Sequence, residues 1–427
     1  MSRTSRKGLR PTGVTRKADP RGSAWTALTM HQPGHEPHLD GMRGISCAIV
    51  VFCHCALWLP PALRDSYREL PSAVPAFILS LWFGLDVFFV LSGFLIGRIL
   101  LSQLQRGGLS FKAFYVRRFF RVFPVYYLVL TVSVFFFSRR EEWAVLYGGV
   151  PWQESIARSW ANYLYVSNYV YGMQFPNPMS WGWSLCVEEH FYLATPLLLA
   201  ILFRVAKGSF RWIFLSTLAL VPLAFRWAMY SRSPDLVPFK WIHPMTHTHA
   251  DGLILGVLIA YACVFHRERM AAWITRLGSA TWILGLACYA SVMLWGGLWV
   301  PGAFPAVWQF LVVSIGSSLL ILNGIFLDNR VTRFLGARVW VPLARASYGQ
   351  YLTHLFVVFW ALSWWPRGPY SAPAAVVSIL AYCFVVLAVA ATVGALLYLT
   401  VERPFLDMGS RLARRHLARA ASQAPEG

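Results

Sequence analysis

Charge is scarce along this chain of 427 residues, and acidic charge is scarcest: Asp and Glu number 18 against 38 Lys and Arg, and charged residues make up 13% of the whole. With 57% hydrophobic residues and a mean hydropathy of +0.51, that shortage excludes an ordinary soluble globule, in which about a quarter of residues carry charge. Paired cysteine spacing is also missing. The seven cysteines (Cys47, Cys53, Cys55, Cys186, Cys263, Cys288, Cys383) lie in or beside apolar runs with no CxxC, so a zinc-type or redox motif is excluded and free, buried thiols are expected. The first 37 residues have no apolar core of about 7–15 residues, which excludes a signal peptide there. No internal repeat occurs. The net charge of +20 does not point to nucleic acid, because the basic residues sit between apolar runs instead of along one face.

What is present is apolar sequence in long runs. A membrane span needs about 20 mostly apolar residues, and ten segments qualify, at 44–60, 76–100, 119–137, 184–203, 211–229, 249–265, 273–296, 304–327, 341–362 and 374–400. An all-α, polytopic bundle of about ten spans is therefore expected. If the spans alternate from a cytoplasmic N-terminus, 29 of the 38 Lys and Arg fall inside and 9 outside, so the positive-inside rule places both termini in the cytoplasm of a multi-pass inner (plasma) membrane protein. Residues 1–37 read as a disordered basic tail, 38–407 as one membrane domain and 408–427 as a second basic tail. The Trp- and Tyr-rich connection at 138–183 reads as an interfacial outer loop.

Several polar side chains interrupt these runs, and an ionisable group inside a membrane marks function by default. The first span reads LDGMRGISCAIVVFCHC, with Asp40, Arg43 and His54. Eleven helical residues separate Arg43 from His54, which puts them about 20° apart in azimuth and about 16 Å apart in depth, on one face. The second span and its exit hold Asp86, Ser92 and Arg98, with Gly93 one heptad from Asp86 on a stripe that should pack against protein. FYVRRFFRVFP then carries Arg117, Arg118 and Arg121. A basic row at that surface follows from positive-inside placement alone, yet guanidinium forks also suit phosphates.

WSLCVEEHFY brings Glu188, Glu189 and His190; neighbouring acids point about 100° apart, so one faces the core while the other pairs elsewhere. His247, His249 and Asp251 crowd the start of the sixth segment, where spacing of i and i+2 splays the two imidazoles and argues against a metal. Ser347, Tyr348, Tyr351 and His354 lie in the ninth segment. Glu402 and Arg403 close the tenth.

In this order, LDGMRG with His54, FGLDVFFVLSGFLI, FYVRRFFRVFP, WSLCVEEHFY, SYGQYLTH and VERPF resemble the acyltransferase-3 family of integral membrane O-acyltransferases across residues 38–407. Each string alone is weak; six in register are not. The resemblance implies transfer of an acyl group, usually acetyl, from cytoplasmic acyl-CoA to a hydroxyl of an extracytoplasmic sugar or glycosylated small molecule. No bound cofactor or metal is expected, and the partners implied are the bilayer, acyl-CoA and a sugar-containing acceptor. The form resembled is the one without a fused periplasmic esterase-like domain. Arg43 and His54 would supply the essential cation and imidazole, and the Arg117, Arg118, Arg121 cluster, with Arg98, would serve the donor. One departure stands out: His249 occupies a position where the family pattern carries Arg.

The mechanism expected from these residues has His54 as general base on the acceptor hydroxyl, with Asp86 or Glu188 fixing its tautomer and Glu189 beside them. Asp40, Ser92, His247, Asp251, Ser347, Tyr348, His354 and Glu402 would support the site. Direct transfer and an acyl-histidine intermediate are both open. Trp152, Trp160, Tyr163, Tyr165, Trp181 and Trp183 offer faces for a sugar. Two other functional classes remain: a proton-coupled transporter, which buried Asp, Glu and His also describe, and a subunit that passes acyl groups to a partner enzyme.

Overall fold

The computed structural model describes residues 24–30, 36–68, 70, 73–137, 152–170, 177–366 and 370–422, and these form helices and connections without a strand. Ten principal helices follow one another: α1 (Pro37–Leu57), α2 (Gly84–Gln105), α3 (Phe111–Val132), α4 (Trp183–Val205), α5 (Ser209–Arg232), α6 (Asp251–Phe265), α7 (Ala280–Trp295), α8 (Gln309–Phe326), α9 (Trp340–Trp364) and α10 (Ala372–Leu397). A π-helical turn, Tyr398–Glu402, joins α10 to α11 (Arg403–Ser422). Each expected apolar segment is helical. Local signals set the ends: Pro37 occupies the first turn of α1, with Asp40 favourably placed at its positive end, and Ser110 caps α3 by accepting from the Ala113 amide.

Among the described residues, seven helices are long and apolar enough to cross a membrane, or eight if the pair Arg267–Leu277 and Ala280–Trp295 counts as one. The chain is thus a multi-pass membrane protein. Of the ten segments, α6 is a shorter apolar helix of 15 residues, and α9 carries Arg345, Gln350 and His354 among other polar groups, which dilute its hydropathy. Before α7 the chain bends by 78°, because Gly278 takes φ +53 and stops the preceding helix.

The tail expected to be disordered up to residue 37 contains a helix at Ala24–Thr29; residues 1–23 and 31–35 lie outside the described ones. The C-terminal tail is helical to Ser422, continuing the line of α10. Of the loop expected at 138–183, the described part holds short helices at Trp152–Arg158, Trp160–Tyr163 and Ser167–Val170.

Packing is closest where α2 crosses α6. A Cβ on Gly93 would sit 2.0 Å from the Leu253 carbonyl oxygen, and one on Gly256 would sit 2.4 Å from that of Val90, so only glycine lets the backbones approach this far. The stripe of Asp86 and Gly93 does pack against protein, since both are buried there. α1 lies between α2 and α9, and α9 packs on α10. This arrangement lets α1 and α9 run side by side past the polar residues of α2, α3 and α4. All seven cysteines are free, and all but Cys288 are fully buried.

Candidate active site

Two cavities lie along α1 and α9. The first, of about 370 Å³, is lined by four arginines: Arg43 from the first half of α1, Arg118 and Arg121 from α3, and Arg345 from α9. Asp40, Ser92, Glu188, Ser347 and Tyr348 also line this arginine cavity. The second, of about 180 Å³, is walled by Trp58, Trp82, Trp181, Trp183 and Trp299, and both His54 and His243 face it. Leu85 and Tyr351 line both cavities. They form the partition between them.

The arginine cavity holds a short hydrogen-bonded chain. Ser92 Oγ lies 2.6 Å from the Tyr192 hydroxyl, which donates to Glu188 Oε2 at 2.6 Å. The Arg118 guanidinium carbon sits 4.5 Å over the Tyr192 ring, a cation–π contact that leaves its N–H groups for the cavity. Glu402, buried at the π-helical turn after α10, feels the charges of Arg121, Arg43 and Arg345. Arg345 Nε has no hydrogen-bond partner among the described residues.

In the tryptophan cavity the histidine tautomers follow from their partners. His354 Nδ1 lies 2.6 Å from the Tyr351 carbonyl oxygen, so it must carry the proton and leave Nε2 as an acceptor. That Nε2 is 3.3 Å from His54 Nδ1, which also lies 2.9 Å from the Val50 carbonyl. Both are acceptors, so His54 Nδ1 carries the proton and His54 Nε2 holds a free lone pair. The partition is fixed too: the Tyr351 hydroxyl donates to the Trp181 carbonyl at 2.8 Å and lies 2.5 Å from Ser184 Oγ.

The sequence expectation for Asp86 and Glu188 is corrected here. Neither hydrogen-bonds His54. Asp86 Oδ1 lies 2.6 Å from His249 Nε2, because α2 turns that carboxylate toward α6, and Glu188 points into the arginine cavity. His249 Nδ1 meets the His243 carbonyl at 2.5 Å, so both ring nitrogens face acceptors. Beside it, the fully buried Arg226 of α5 bonds Asp251 Oδ2 at 2.8 Å, the Val307 carbonyl at 2.8 Å and the Thr248 carbonyl at 2.6 Å. Arg226 supplies a guanidinium in the neighbourhood where His249 replaces the expected Arg.

Four other expected residues stand apart from the cavities. Arg98 pairs with Glu36 at 3.2 Å, the half-buried Arg117 of α3 does not line the arginine cavity, and Glu189 is buried with Oε1 unpartnered. His247 lies near the surface, its Nδ1 3.1 Å from the Tyr169 hydroxyl; partial burial pushes its pKa down. Of the aromatic rim, Trp181 and Trp183 wall the tryptophan cavity, whereas Tyr163 and Tyr165 stack on Tyr127 and Tyr126. Arg345, Arg226, Tyr192 and His243 were not singled out by sequence. Arg226 and Arg345 each left a signal there, as ionisable residues inside the expected apolar segments 211–229 and 341–362.

A family model described as an acyltransferase domain matches residues 36–396. Among curated proteins, the peptidoglycan O-acetyltransferase OatA of Listeria monocytogenes is 26% identical over 345 residues, covering 77% of this chain and 50% of its own. The O-acetyltransferase OatA of Staphylococcus aureus is 23% identical over 355 residues, covering 79% and 53%. A putative peptidoglycan O-acetyltransferase of Bacillus subtilis, YrhL, is 26% identical over 344 residues, covering 75% and 48%. The chain spans about half the length of the curated relatives it matches. No solved structure gives a significant match.

Proposed function

The chain belongs to the acyltransferase-3 family, and from that premise we propose that it is a membrane O-acyltransferase moving an acetyl group from acyl-CoA to a hydroxyl of a cell-wall glycan. One observation carries this reading. A cavity with four guanidinium groups and a cavity with a base-ready imidazole and tryptophan walls meet at Leu85 and Tyr351.

The phosphates of acyl-CoA suit Arg43, Arg118, Arg121 and Arg345, whose N–H forks give charge-assisted hydrogen bonds to phosphate oxygens. Its pantetheine arm then runs along α1 toward His54, a rise of about 16 Å over eleven residues. The acceptor enters the tryptophan cavity from the opposite end. The orientation that puts Arg43 toward the cytoplasm supports acyl transfer across the plasma membrane, and the peptidoglycan O-acetyltransferases that the chain resembles support a wall glycan as acceptor.

In the reaction, His54 Nε2 takes the proton of the acceptor hydroxyl as the oxygen attacks the thioester carbonyl. The tetrahedral intermediate collapses, the carbon–sulfur bond breaks, and the imidazolium returns its proton to the departing CoA sulfur. An ester and a free thiol result. His354 steadies the imidazolium through the Nδ1–H contact. Loss of a general base of this kind costs about 10²–10⁴-fold in rate. The test is His54→Ala in membranes: acetyl transfer from labelled acetyl-CoA should fall by about that factor while binding of acetyl-CoA persists. Undiminished transfer at normal protein level would overturn the reading.

A further inference from the structure

His243 lies in the connection between α5 and α6, outside the apolar helices, and is 4% exposed. It faces the tryptophan cavity together with His54, yet among the described residues neither of its ring nitrogens has a hydrogen bond from the protein, and its Nδ1 is fully buried without a partner. Buried polar groups without partners are rare and ask for an explanation.

The ring is nevertheless held in place from all sides. Its centroid lies 4.4 Å from that of Trp183, 5.6 Å from Trp82, 5.9 Å from Phe310 and 4.9 Å from His249. Its backbone is clamped as well: the amide donates to the Pro238 carbonyl at 3.0 Å, and the carbonyl accepts from His249 Nδ1. The Asp86–His249 pair therefore anchors the segment that presents this imidazole. An aligned polar ring that the protein leaves unbonded, at the wall of a cavity, is arranged for a ligand.

We propose that His243 is the second imidazole of the acceptor site, binding a polar group of an uncharged ring whose reacting hydroxyl faces His54. This rests on the acyl-transfer reading above. No Asp, Glu, Lys or Arg lines the tryptophan cavity among the described residues, so an anionic ring would lose its hydration there without a counter-charge. Tryptophan faces accept the apolar face of a ring, and two imidazoles supply hydrogen bonds at its edge. Burial pushes the His243 pKa well below its ordinary value. The ring accordingly stays neutral, and since Nδ1 is buried in the protein, Nε2 is the nitrogen left to meet the ligand.

The experiment uses membrane vesicles holding the full chain, labelled acetyl-CoA, and two acceptor probes: an N-acetylglucosamine oligosaccharide and an oligoglucuronate. His243→Phe keeps the aromatic packing and removes hydrogen bonding; His243→Gln restores a donor and an acceptor. The Phe variant should raise KM for the uncharged probe roughly tenfold or more, the Gln variant should recover most of it, and KM for acetyl-CoA should be unchanged in both. Oligoglucuronate should not be acetylated. An unchanged acceptor KM in the Phe variant, a parallel rise of both KM values, or equal use of the anionic probe would overturn the proposal. Retained transfer in His54→Ala would instead sink the acyl-transfer reading, so the two failures are told apart.

Discussion

His54 and His354 meet nitrogen to nitrogen, with Nδ1 of the first 3.3 Å from Nε2 of the second and the rings edge to face at 4.8 Å. The Tyr351 carbonyl fixes the proton of His354 on Nδ1, and that choice passes to His54, whose Nε2 is left bare. His354 acts through His54. Replacing it with Phe keeps the ring and removes the acceptor, so the acetyl-transfer rate should fall about tenfold or more, short of the roughly 10²–10⁴-fold loss of the base itself. His354→Gln should recover part of the rate, and initial rates with saturating acetyl-CoA would show both.

Donor affinity should separate the arginines by position. Each hydrogen bond to a charged group contributes about 1.5–3 kcal/mol, so Arg345→Ala, like Arg118→Ala, should weaken acetyl-CoA binding about 10–100-fold. Arg98→Ala and Arg117→Ala should change it little, because neither lines the arginine cavity. Equilibrium binding of labelled acetyl-CoA at two salt concentrations measures this. Equal losses at all four positions would mean that the surface field, not the cavity, holds the donor.

Hydropathy revealed the helices because the lipid requirement for continuous apolar sequence is local, and all ten segments appear. It misplaced the start of α7, since residues 273–279 are apolar enough to extend the run while Gly278 turns the chain there. Within the site, Asp40, Arg43, Ser92, Arg118, Arg121, Glu188, Ser347 and Tyr348 were visible as polar residues in apolar surroundings, and the arginine cavity gathers them. Which faces meet was not visible. Asp86 looked like a partner for His54 because both lie within early spans, but the Gly93–Leu253 crossing commits that stripe to α6. Arg226 falls inside the expected segment 211–229, and only the packing of α5 on α6 shows it buried.

The Arg226–Asp251 pair is wholly buried, and this sets an asymmetric expectation. Arg226→Met leaves a carboxylate without compensation and should destabilise the protein by about 3–5 kcal/mol, as should Asp251→Leu in the opposite sense of charge. The double variant Arg226→Met with Asp251→Leu should regain much of the loss, since no charge is then stranded. Thermal unfolding of detergent-purified protein would measure it. Additive losses in the double variant would count against the pairing.

Acid should act on the wall of the tryptophan cavity through His243. In the unfolded chain this imidazole binds a proton near its ordinary value of about 6.5, whereas in the folded protein burial holds its pKa well below that. Between the two values the unfolded state binds more protons. Folding stability contributed by the neutral ring is therefore complete above the unfolded pKa and declines as pH drops through about 6.5, with a slope of up to about 1.4 kcal/mol per pH unit for one proton. His243→Phe has nothing to titrate and removes this part of the dependence. Measured from pH 7.5 down to 5.5, Tm should fall more steeply for the wild-type protein than for the variant, other titrating groups being common to both. Parallel curves would show that the folded protein protonates His243 as readily as water does, and that its ring is not held in the dry aromatic setting of Trp183, Trp82 and Phe310.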